Sequence, residues 1–427
     1  MRQEEDLVND TTRSDLEREL LTFIHDSESG DPHDIYRRIR EVDPVFWSPR
    51  LNAWLVTGYD HVSALTMDPI WSSSTFSSED MPPGTLSRGP GFCQMDMMPQ
   101  RNDDPVHGQL RKLTLRLFNG KAAEQRRPQM RQIAADVLEG IEPGVEFDFL
   151  SQVTYRIALL LACDIIGLPP SDIPQLREWV ERYTRMHGAT VTEADQASAD
   201  AMFTEFGEYV DAVIAGRDGA GDDRRDAIDA FRIARAAGDI EQDVMVANVF
   251  NIMFGSHETT ANLLGNGLYK LLEEREQWAL LASDPDSYAP GAVEEVLRYC
   301  SPSTNLLARY PLEDAELGGH TIKKGQRVMG CLVAADRDPA QFPDPDRFDI
   351  TRKPNRHIAF GKGRHLCLGA PFARVEAQEV FTELVRRFPN LELAEPVSFN
   401  QSWTLRGFTR LMLRVPLASE ARVGAGV

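Results

Sequence analysis

The chain has 427 residues, with 66 acidic and 46 basic side chains and a formal net charge of −20. This charge disfavours nonspecific binding to nucleic acid and to anionic membranes. An apolar fraction of 42% and a charged fraction of 26% are typical of a globular protein. The longest apolar run, Ile157–Cys163, is much shorter than the roughly 18–20 residues that span a bilayer. We therefore expect a globular protein without nucleic-acid or membrane partners.

The cysteines are odd in number and far apart, which argues against a disulfide framework and favours a reducing cytoplasm. They are Cys93, Cys163, Cys300, Cys331 and Cys367. The N-terminus, Met1-Arg2-Gln3-Glu4-Glu5-Asp6, is acidic, whereas a signal peptide begins with basic and then apolar residues. Only 7 of the 46 basic residues are lysine, a bias typical of a GC-rich bacterial genome.

In chain order, residues 1–15 are polar and are predicted to be disordered, and residues 418–427 form a C-terminal tail. Between them, residues 16–417 contain no linker that would mark a boundary, so we expect a single large domain. Helical periodicity dominates as far as about Cys300, interrupted by a strand pair near Val45–Trp47 and Ala53–Val56. Residues 72–105, rich in Ser, Pro, Gly and Met, are predicted to be a functional loop, and 216–225 a surface loop.

A proline-free helix is predicted from Ile240 to Glu274, roughly 50 Å long, with apolar residues on most sides. Such a helix should pass through the interior. After residue 300 short strands and turns follow, and a last helix is predicted over Gly369–Phe388. The sequence thus indicates a mainly α fold with a minor β portion.

Cys367 lies between a glycine-rich loop, Phe360-Gly361-Lys362-Gly363, and the start of the last helix at Gly369. Free N–H groups and the helix dipole at that position favour a thiolate, which can act as a nucleophile or a metal ligand. Three alternatives remain open. They are a small buried hydrophobe, a zinc site with His365 or His357, and a phosphate loop at Gly361-Lys362-Gly363.

The long helix is interrupted in mid-span by Gly255-Ser256-His257-Glu258-Thr259-Thr260. Buried polar side chains are costly unless they have a role, and an acid beside an alcohol is what proton delivery to a buried centre requires. The alternative is a polar stretch that packs against another polar helix. We expect His257 to be a structural hydrogen-bonding residue.

Two further sets of charges stand out. Glu295 and Arg298 are three residues apart and should share one helix face. A group of cations could clamp a ligand that carries carboxylates. That group is His107, Arg111, Arg309 and His357.

In this order and spacing, these four elements resemble the cytochrome P450 family, in its soluble bacterial class, over roughly residues 30–415. Ala335-Asp336-Arg337-Asp338-Pro339 and Pro345-Asp346-Arg347-Phe348 complete the family outline. Two departures are present, because Gly255-Ser256 replaces the usual Ala-Gly of the distal helix and Phe254 precedes it. They leave the geometry of the distal pocket open.

The resemblance implies a heme b whose axial ligand is the thiolate of Cys367, with Phe360, Gly361 and Gly369 in the surrounding loop. It implies that Glu258 and Thr259 form the distal acid–alcohol pair. By the same resemblance His107, Arg111, Arg309 and His357 hold the heme propionates, and Glu295, Arg298 and Arg347 form a buried structural triad. Because no Cys-x-x-Cys-His is present, the heme should be bound noncovalently.

The implied activity is a monooxygenase that uses O2 and electrons from a ferredoxin and its reductase, because no redox domain fits in the chain. Two alternatives are a heme-thiolate enzyme of other chemistry, such as a peroxygenase or an oxidative coupling enzyme, and a noncatalytic heme-binding module that recruits a carrier protein. The Glu258–Thr259 pair argues against both. We expect a monomer.

The substrate should be a bulky, apolar small molecule, because the expected contacts are apolar with a few hydroxyls and several methionines. The expected contacts are the 72–98 loop, Phe254, Gly255, Thr304, Asn305, Leu306, Leu307, Trp403, Thr404 and Leu405. The Arg-rich composition suggests natural-product (antibiotic) biosynthesis. Between Arg352 and Val375 six basic residues occur without any acid, which predicts a docking face for an acidic ferredoxin. These are Arg352, Lys353, Arg356, Lys362, Arg364 and Arg374. The alternative is a solvated face.

Overall fold

The structure is a computed structural model that describes residues 2–25, 32–74, 95–187, 191–217, 226–400, 402 and 404–417. Helices make up most of these ranges. The α-helices are α1 (Arg2–His25), α2 (His33–Val42), α3 (Tyr59–Met67), α4 (Val106–Thr114), α5 (Gly120–Leu138), α6 (Tyr155–Ile166), α7 (Ile173–Thr184), α8 (Glu193–Ala215), α9 (Ala227–Ala236), α10 (Gln242–Glu273), α11 (Arg275–Ser283), α12 (Pro285–Cys300), α13 (Leu332–Ala335) and α14 (Ala370–Arg387). No helix in the described ranges has both the length and the apolar composition needed to cross a membrane.

The strands are short and form small sheets at the edges of the helical body. They are β1 (Val45–Ser48), β2 (Ala53–Val56), β3 (Trp71–Ser72), β4 (Glu146–Asp148), β5 (Tyr310–Pro311), β6 (Ala315–Leu317), β7 (His320–Ile322), β8 (Arg327–Gly330), β9 (Glu392–Leu393), β10 (Ser398–Phe399), β11 (Phe408–Arg410) and β12 (Met412–Arg414). One sheet has the order β1-β2-β8, with β1 antiparallel and β8 parallel to β2. A second has the order β4-β12-β9, and three strand pairs complete the β portion.

Helix α10 is the central element of the fold. Its 32 residues span about 48 Å, and it packs against α6, α12 and α14. Residues 260–268 are all buried, so other elements surround the helix there. The sequence prediction of a helix through the interior is confirmed, with its ends within two residues of those expected.

Three hydrophobic clusters hold the elements together. The largest joins the helices from α5 to α12 and α14. A second packs Leu16 and Leu20 of α1 against α2, the first sheet and α13. The third lies between α3 and the strands from β6 to β8. The predicted strand pair at Val45 and Ala53 is confirmed as β1–β2.

The N-terminal segment differs from the prediction. The polar composition of residues 1–15 predicted disorder, but the structure places a helix over Arg2–His25. The buried side chains of Leu16, Leu20, Phe23 and Ile24 dock the second half of that helix on the second cluster. Propensity is a weak guide when tertiary packing stabilises one end of a helix. Residues 75–94, 218–225 and the tail at 418–427 lie outside the described residues.

Candidate functional site

A cavity of about 1240 Å³, part of which opens to solvent, lies between α4, α6, α10, α14 and the loop of Cys367. Its walls are mainly apolar, as in most small-molecule sites. The polar and charged residues that border it are Gln100, His107, Arg111, Thr114, Asn248, Asn251, Ser256, Thr259, Thr260, His365, Cys367 and Glu376. Phe360 and Gly369 also border it.

The loop before Cys367 is a tight hairpin. The Cys367 amide donates to the Phe360 carbonyl at 2.9 Å, and the Leu366 amide donates to the Gly363 carbonyl at 3.1 Å. Gly361 and Gly363 have φ angles of 69° and 66°, a region that favours glycine. A side chain at Gly363 would also collide with the Thr66 carbonyl oxygen. The loop therefore requires both glycines.

The hairpin leads Cys367 to the N-terminus of α14. The Cys367 side chain is exposed to the cavity. Desolvation by the surrounding protein raises the pKa of its thiol, while the amides of Gly369 and Ala370 and the charges of Arg111 and Arg374 act in the opposite direction. The amides and guanidinium groups are those expected to stabilise a thiolate once it has a cationic partner. This arrangement suits a metal ligand better than an inert core cysteine.

A buried ion cluster links α12 to the segment before the loop. Glu295 accepts two hydrogen bonds from Arg298, each at 2.8 Å, and both side chains are fully buried. Arg352 Nε donates to Glu295 Oε1 at 3.2 Å, and Asn355 Nδ2 donates to Oε2 at 3.0 Å. The predicted pairing on one helix face is confirmed.

The prediction of Arg347 as the third member of the triad was wrong. The side chain of Arg347 is 67% exposed and pairs with Asp349, and only its carbonyl oxygen accepts from Arg298. Arg352 occupies the place expected for Arg347, because the chain turns back after Asp349 and returns Arg352 to Glu295.

The structure brings two of the four predicted cations to the cavity. His107 is buried, and its Nδ1 lies 3.4 Å from Asp104 Oδ1. Arg111 Nη2 donates to the Leu366 carbonyl at 2.8 Å and so ties α4 to the cysteine loop. Arg309 is buried near the site but does not border the cavity. Burial lowers the pKa of Arg309 to about 10, so it remains a cation at neutral pH.

The structure places His357, the fourth of the predicted cations, away from the cavity. Its Nε2 lies 2.9 Å from Glu294 Oε2, a carboxylate that it shares with Arg374. His365 takes the position at the cavity instead, with its ring 4.2 Å from that of His107 and its Nε2 3.0 Å from Ser73 Oγ. Burial, followed by the charge of Arg309, lowers the pKa of His365 to about 3.

The interruption of α10 presents hydroxyl groups to the cavity. Ser256, Thr259 and Thr260 border it, and Thr259 Oγ1 donates to the Gly255 carbonyl at 2.6 Å. Gly255 has no side chain, and the space beside it is open. Gly255 itself borders the cavity.

Glu258 and His257 lie on the other side of α10 and do not border the cavity as described. Glu258 Oε1 accepts from Asn262 Nδ2 at 3.4 Å, and burial raises the pKa of this carboxyl. His257 is buried against the ring of Tyr155, at 5.0 Å between centroids. Neither ring nitrogen of His257 has a hydrogen-bond partner within the described ranges, contrary to the structural role that we predicted.

Of the predicted substrate contacts that the structure describes, Gly255 borders the cavity and the others do not. Thr304, Leu307 and Leu405 are among those outside it. Phe254 packs against Tyr183 at 4.7 Å, on the opposite face of α10. Asn305, Leu306 and Thr404 lie outside the cavity lining, and Leu306 packs beneath Gly330. Trp403 lies outside the described residues.

Sequence reasoning missed a polar group at the cavity wall. Gln100 Nε2 donates to Asn251 Oδ1 at 2.6 Å, and Asn248 Nδ2 donates to the Met97 carbonyl at 3.1 Å. Asn248, Asn251, Gly255 and Ser256 follow helical spacing, so one face of α10 could have been read from the sequence. The cross-contact to Gln100 could not, because it joins residues 151 positions apart.

Sequence reasoning also missed Glu376. It lies two turns into α14, borders the cavity and is 5% exposed. Its Oε1 has no hydrogen-bond partner among the described residues, and burial raises the pKa of its carboxyl to about 8. Glu376 is therefore largely uncharged at neutral pH.

The residues at the cavity fit a heme. A thiol that faces the space from a helix N-terminus, two glycines that hold its loop, and the cationic Arg111 beside His107 and His365 form a suitable set of donors. Cys367 would supply the axial thiolate, and Arg111, His107 and His365 would hold the propionates.

Comparisons with known proteins agree with this site. The family model for cytochrome P450 matches residues 171–281 and 287–410. Cytochrome P450 107B1 of Saccharopolyspora erythraea is 34% identical over 408 residues, which cover 93% of this chain and 98% of that protein.

Two solved structures superpose over nearly the whole chain. P450BioI, in complex with an acyl carrier protein ligated to hexadec-9Z-enoic acid, has a TM-score of 0.84 and 29% identity, covering 92% of this chain and 99% of its own. CxnD, a cytochrome P450 for C–S bond formation in chuangxinmycin biosynthesis, has a TM-score of 0.82 and 30% identity, and the match covers 92% of this chain and 96% of CxnD. With the thiol, the cations and the hydroxyls around one cavity, these matches show that the chain is a member of the cytochrome P450 family of monooxygenases.

Proposed function

We propose that the protein is a heme-thiolate monooxygenase that hydroxylates or epoxidises a bulky, apolar small molecule. The observation that carries this proposal is that the Cys367 thiol and the hydroxyls of Ser256, Thr259 and Thr260 border the same cavity. Heme b bound there supplies the activation of O2 that oxygen-atom transfer requires.

The polar stretch of α10 supports a role in proton delivery. Thr259 holds its hydroxyl beside the Gly255 carbonyl, on the face of the helix that borders the cavity. Glu258 is the neighbouring acid, and burial raises the pKa of its carboxyl above the ordinary value, which favours the protonated form that a proton donor requires. Because its side chain lies off the cavity, a proton from Glu258 must pass through Thr259 or a water molecule.

The walls of the cavity support an apolar substrate. Leu161, Ala162, Ile165, Phe231 and Ile252 contribute apolar surface. Gln100 and Asn251 place an amide pair at the wall, which can orient one polar group of the substrate.

Electrons are proposed to arrive from an acidic ferredoxin and its reductase. The basic stretch 352–374 is less cationic than its sequence indicates, since Arg352 and Arg374 pair with Glu295 and Glu294. Lys362 and Arg364 lie at the cysteine loop beside Leu366, which is 43% exposed. Lys362 donates to the hydroxyls of Tyr59 and Ser63, and Arg364 lies 3.9 Å from Asp104. An apolar centre with cations around it suits a transient partner.

The setting that we propose is cytoplasmic natural-product biosynthesis, with the enzyme acting as a monomer. Its Arg-rich composition and the net charge of −20 support this setting. The likeness to CxnD, a protein of chuangxinmycin biosynthesis, supports it further.

The test is a metabolite screen on the heme-loaded enzyme for the low- to high-spin change of the heme spectrum. Hits are then turned over with NADPH, a surrogate ferredoxin and its reductase under ¹⁸O2. A product with one ¹⁸O atom supports the proposal. Consumption of NADPH with a coupled product that lacks ¹⁸O would instead assign oxidative coupling, the class of reaction to which C–S bond formation by CxnD belongs.

The P450BioI complex raises the question of whether the substrate is free or attached to a carrier protein. The same screen answers this question if each carboxylic acid among the metabolites is offered both as the free acid and as a carrier-protein thioester. A spin change with the thioester alone assigns a carrier-bound substrate.

A further inference from the structure

An ion pair joins α12 to α14 next to the cysteine loop. Arg374 Nε and Nη2 donate to the two carboxylate oxygens of Glu294, at 2.7 and 3.1 Å. The side chains of Arg374 and Glu294 are 34% and 30% exposed. His357 Nε2 lies 2.9 Å from the same carboxylate, and the His357 side chain is 3% exposed. The pair is therefore held from its buried side and is open to solvent on the other.

Arg374 lies close to the loop that holds Cys367. Its guanidinium carbon is 4.7 Å from the centroid of the Phe360 ring. Phe360 borders the cavity, and its carbonyl accepts from the Cys367 amide at 2.9 Å. Desolvation raises the pKa of the Cys367 thiol, and the charges of Arg111 and Arg374 oppose that rise. The charge of Arg374 thus acts on the sulfur that would ligate the heme iron.

Arg374 has its counter-ion within the protein, whereas Arg111 donates to the Leu366 carbonyl and would be paired with a heme propionate. That counter-ion is Glu294. Desolvation alone would raise the pKa of the Glu294 carboxyl, but the hydrogen bonds from His357 and Arg374 outweigh it and lower this pKa to about 2. Glu294 is therefore an anion throughout the neutral range of pH.

His357 orients that carboxylate without adding a charge. The Ala359 amide donates to His357 Nδ1 at 3.3 Å, so the ring proton is on Nε2, the atom that faces Glu294. In this tautomer the imidazole is neutral. The three side chains together have one positive and one negative charge, and the positive charge is the one that stacks on Phe360.

We infer that Arg374 and Glu294 set the reduction potential of the heme through opposite effects on Cys367. The inference rests on the proposed heme-thiolate function. One electron from the proposed ferredoxin converts ferric to ferrous heme, which adds one negative charge beside the sulfur and breaks no bond. A nearby cation stabilises the reduced form, and a nearby anion stabilises the oxidised form. Arg374 therefore raises the potential, and Glu294 limits that rise.

The test is potentiometric titration of the full-length, heme-loaded protein without substrate, at low ionic strength, where charges are least screened. Arg374→Met and Glu294→Gln each remove one charge and nearly keep the size of the side chain. At the midpoint potential of the wild type, we expect the ratio of ferrous to ferric heme to fall about fivefold in Arg374→Met and to rise about fivefold in Glu294→Gln. In the double variant the two changes should largely cancel.

Arg386→Met is the matched control. Arg386 also lies on α14 and pairs with a carboxylate of α12, that of Asp286 at 2.6 Å, and its side chain is 39% exposed. It lies 12 residues after Arg374, which is about 18 Å along the helix. We expect the potential of Arg386→Met to equal that of the wild type.

The sign of the shifts separates an electrostatic role from a structural one. Arg374→Met and Glu294→Gln break the same ion pair, so a loosened contact between α12 and α14 would move both potentials in the same direction. Shifts of equal sign, or potentials equal to that of the wild type in both variants, would overturn the inference. If one of the two variants does not retain heme, the sign of the shift in the other decides.

The ferrous–CO spectrum of each protein is recorded first, because it separates this inference from the proposed function. A wild type without the band of thiolate ligation overturns both. Normal bands together with unmoved potentials overturn the inference alone. Normal bands with opposite shifts in Arg374→Met and Glu294→Gln support it.

Discussion

Cys367 is the residue on which the proposed cofactor depends. Replacing it by Ala removes the thiolate, so we expect heme that is lost or bound without the red-shifted ferrous–CO band of thiolate ligation. Cys300→Ala is the matched control, since this free cysteine does not border the cavity, and it should keep the band. A normal band in Cys367→Ala would refute the assignment of the ligand.

Thr259 is expected to act in proton transfer and not in binding. Thr259→Ala loses the hydroxyl that bonds to the Gly255 carbonyl, while the cavity keeps its apolar walls. We expect normal heme content and substrate binding, with at least half of the NADPH electrons released as hydrogen peroxide. If the ratio of product formed to NADPH consumed is unchanged, Thr259 does not deliver the proton, and Ser256 or Thr260 is the next candidate.

Glu376 gives a prediction on pH and stability. Its pKa is about 8 in the folded protein and 4.5 when unfolded, so the unfolded chain releases this proton first as the pH rises. The carboxyl therefore has no effect on stability below about pH 4.5, and it lowers stability progressively from there to about pH 8. Glu376→Gln cannot ionise and should lose less thermal stability between pH 5 and pH 8 than the wild type. Melting curves that shift equally with pH in both proteins would contradict the neutral, buried carboxyl.

At the scale of elements, the Glu295 cluster holds the segment before the cysteine loop against α12. Arg352→Gln leaves the buried Glu295 with one cation fewer, and we expect a loss of about 3 kcal/mol in the free energy of unfolding. Arg347→Gln is the matched control. Because Arg347 is 67% exposed, its loss should change the free energy by less than about 0.5 kcal/mol. Denaturant unfolding of both variants measures the difference, and equal losses would contradict the cluster as described.

The helices and strands also show how far hydrophobic periodicity predicts secondary structure. Helix α10 and the β1–β2 pair were predicted nearly to the residue, because both depend on local patterns of apolar side chains. The part of α1 before Leu16 was missed. The contacts that dock α1 on α2 and β1 are made by its second half, and the polar composition of the first half gives no sign of a helix.

At the scale of the whole molecule, the net charge of −20 makes the cations at the cysteine loop a local reversal of sign. Lys362→Glu with Arg364→Glu should slow reduction by an acidic ferredoxin about tenfold at low ionic strength, and the difference should fade with added salt. Reduction by dithionite and substrate binding should stay normal. Lys323→Glu with Lys324→Glu, at the turn between β7 and β8, is the matched control. Equal ferredoxin rates for the loop variant and the wild type at low salt would exclude this face.

The sequence by itself determined the fold class and the cysteine loop, because helical periodicity and glycine-dependent turns are encoded within a few adjacent residues. The same is true of the polar interruption of α10, which a buried apolar helix makes conspicuous. The family resemblance followed from these local motifs, and the comparisons confirm it.

Only the tertiary structure decided which charged residues meet. Arg352 and not Arg347 reaches Glu295, His365 and not His357 borders the cavity, and Glu258 faces away from it. In each case the alternatives are close in sequence, and an irregular turn or the rotation of a helix face selects between them. Such choices depend on contacts between segments far apart in the chain, and local spacing carries no information about those contacts.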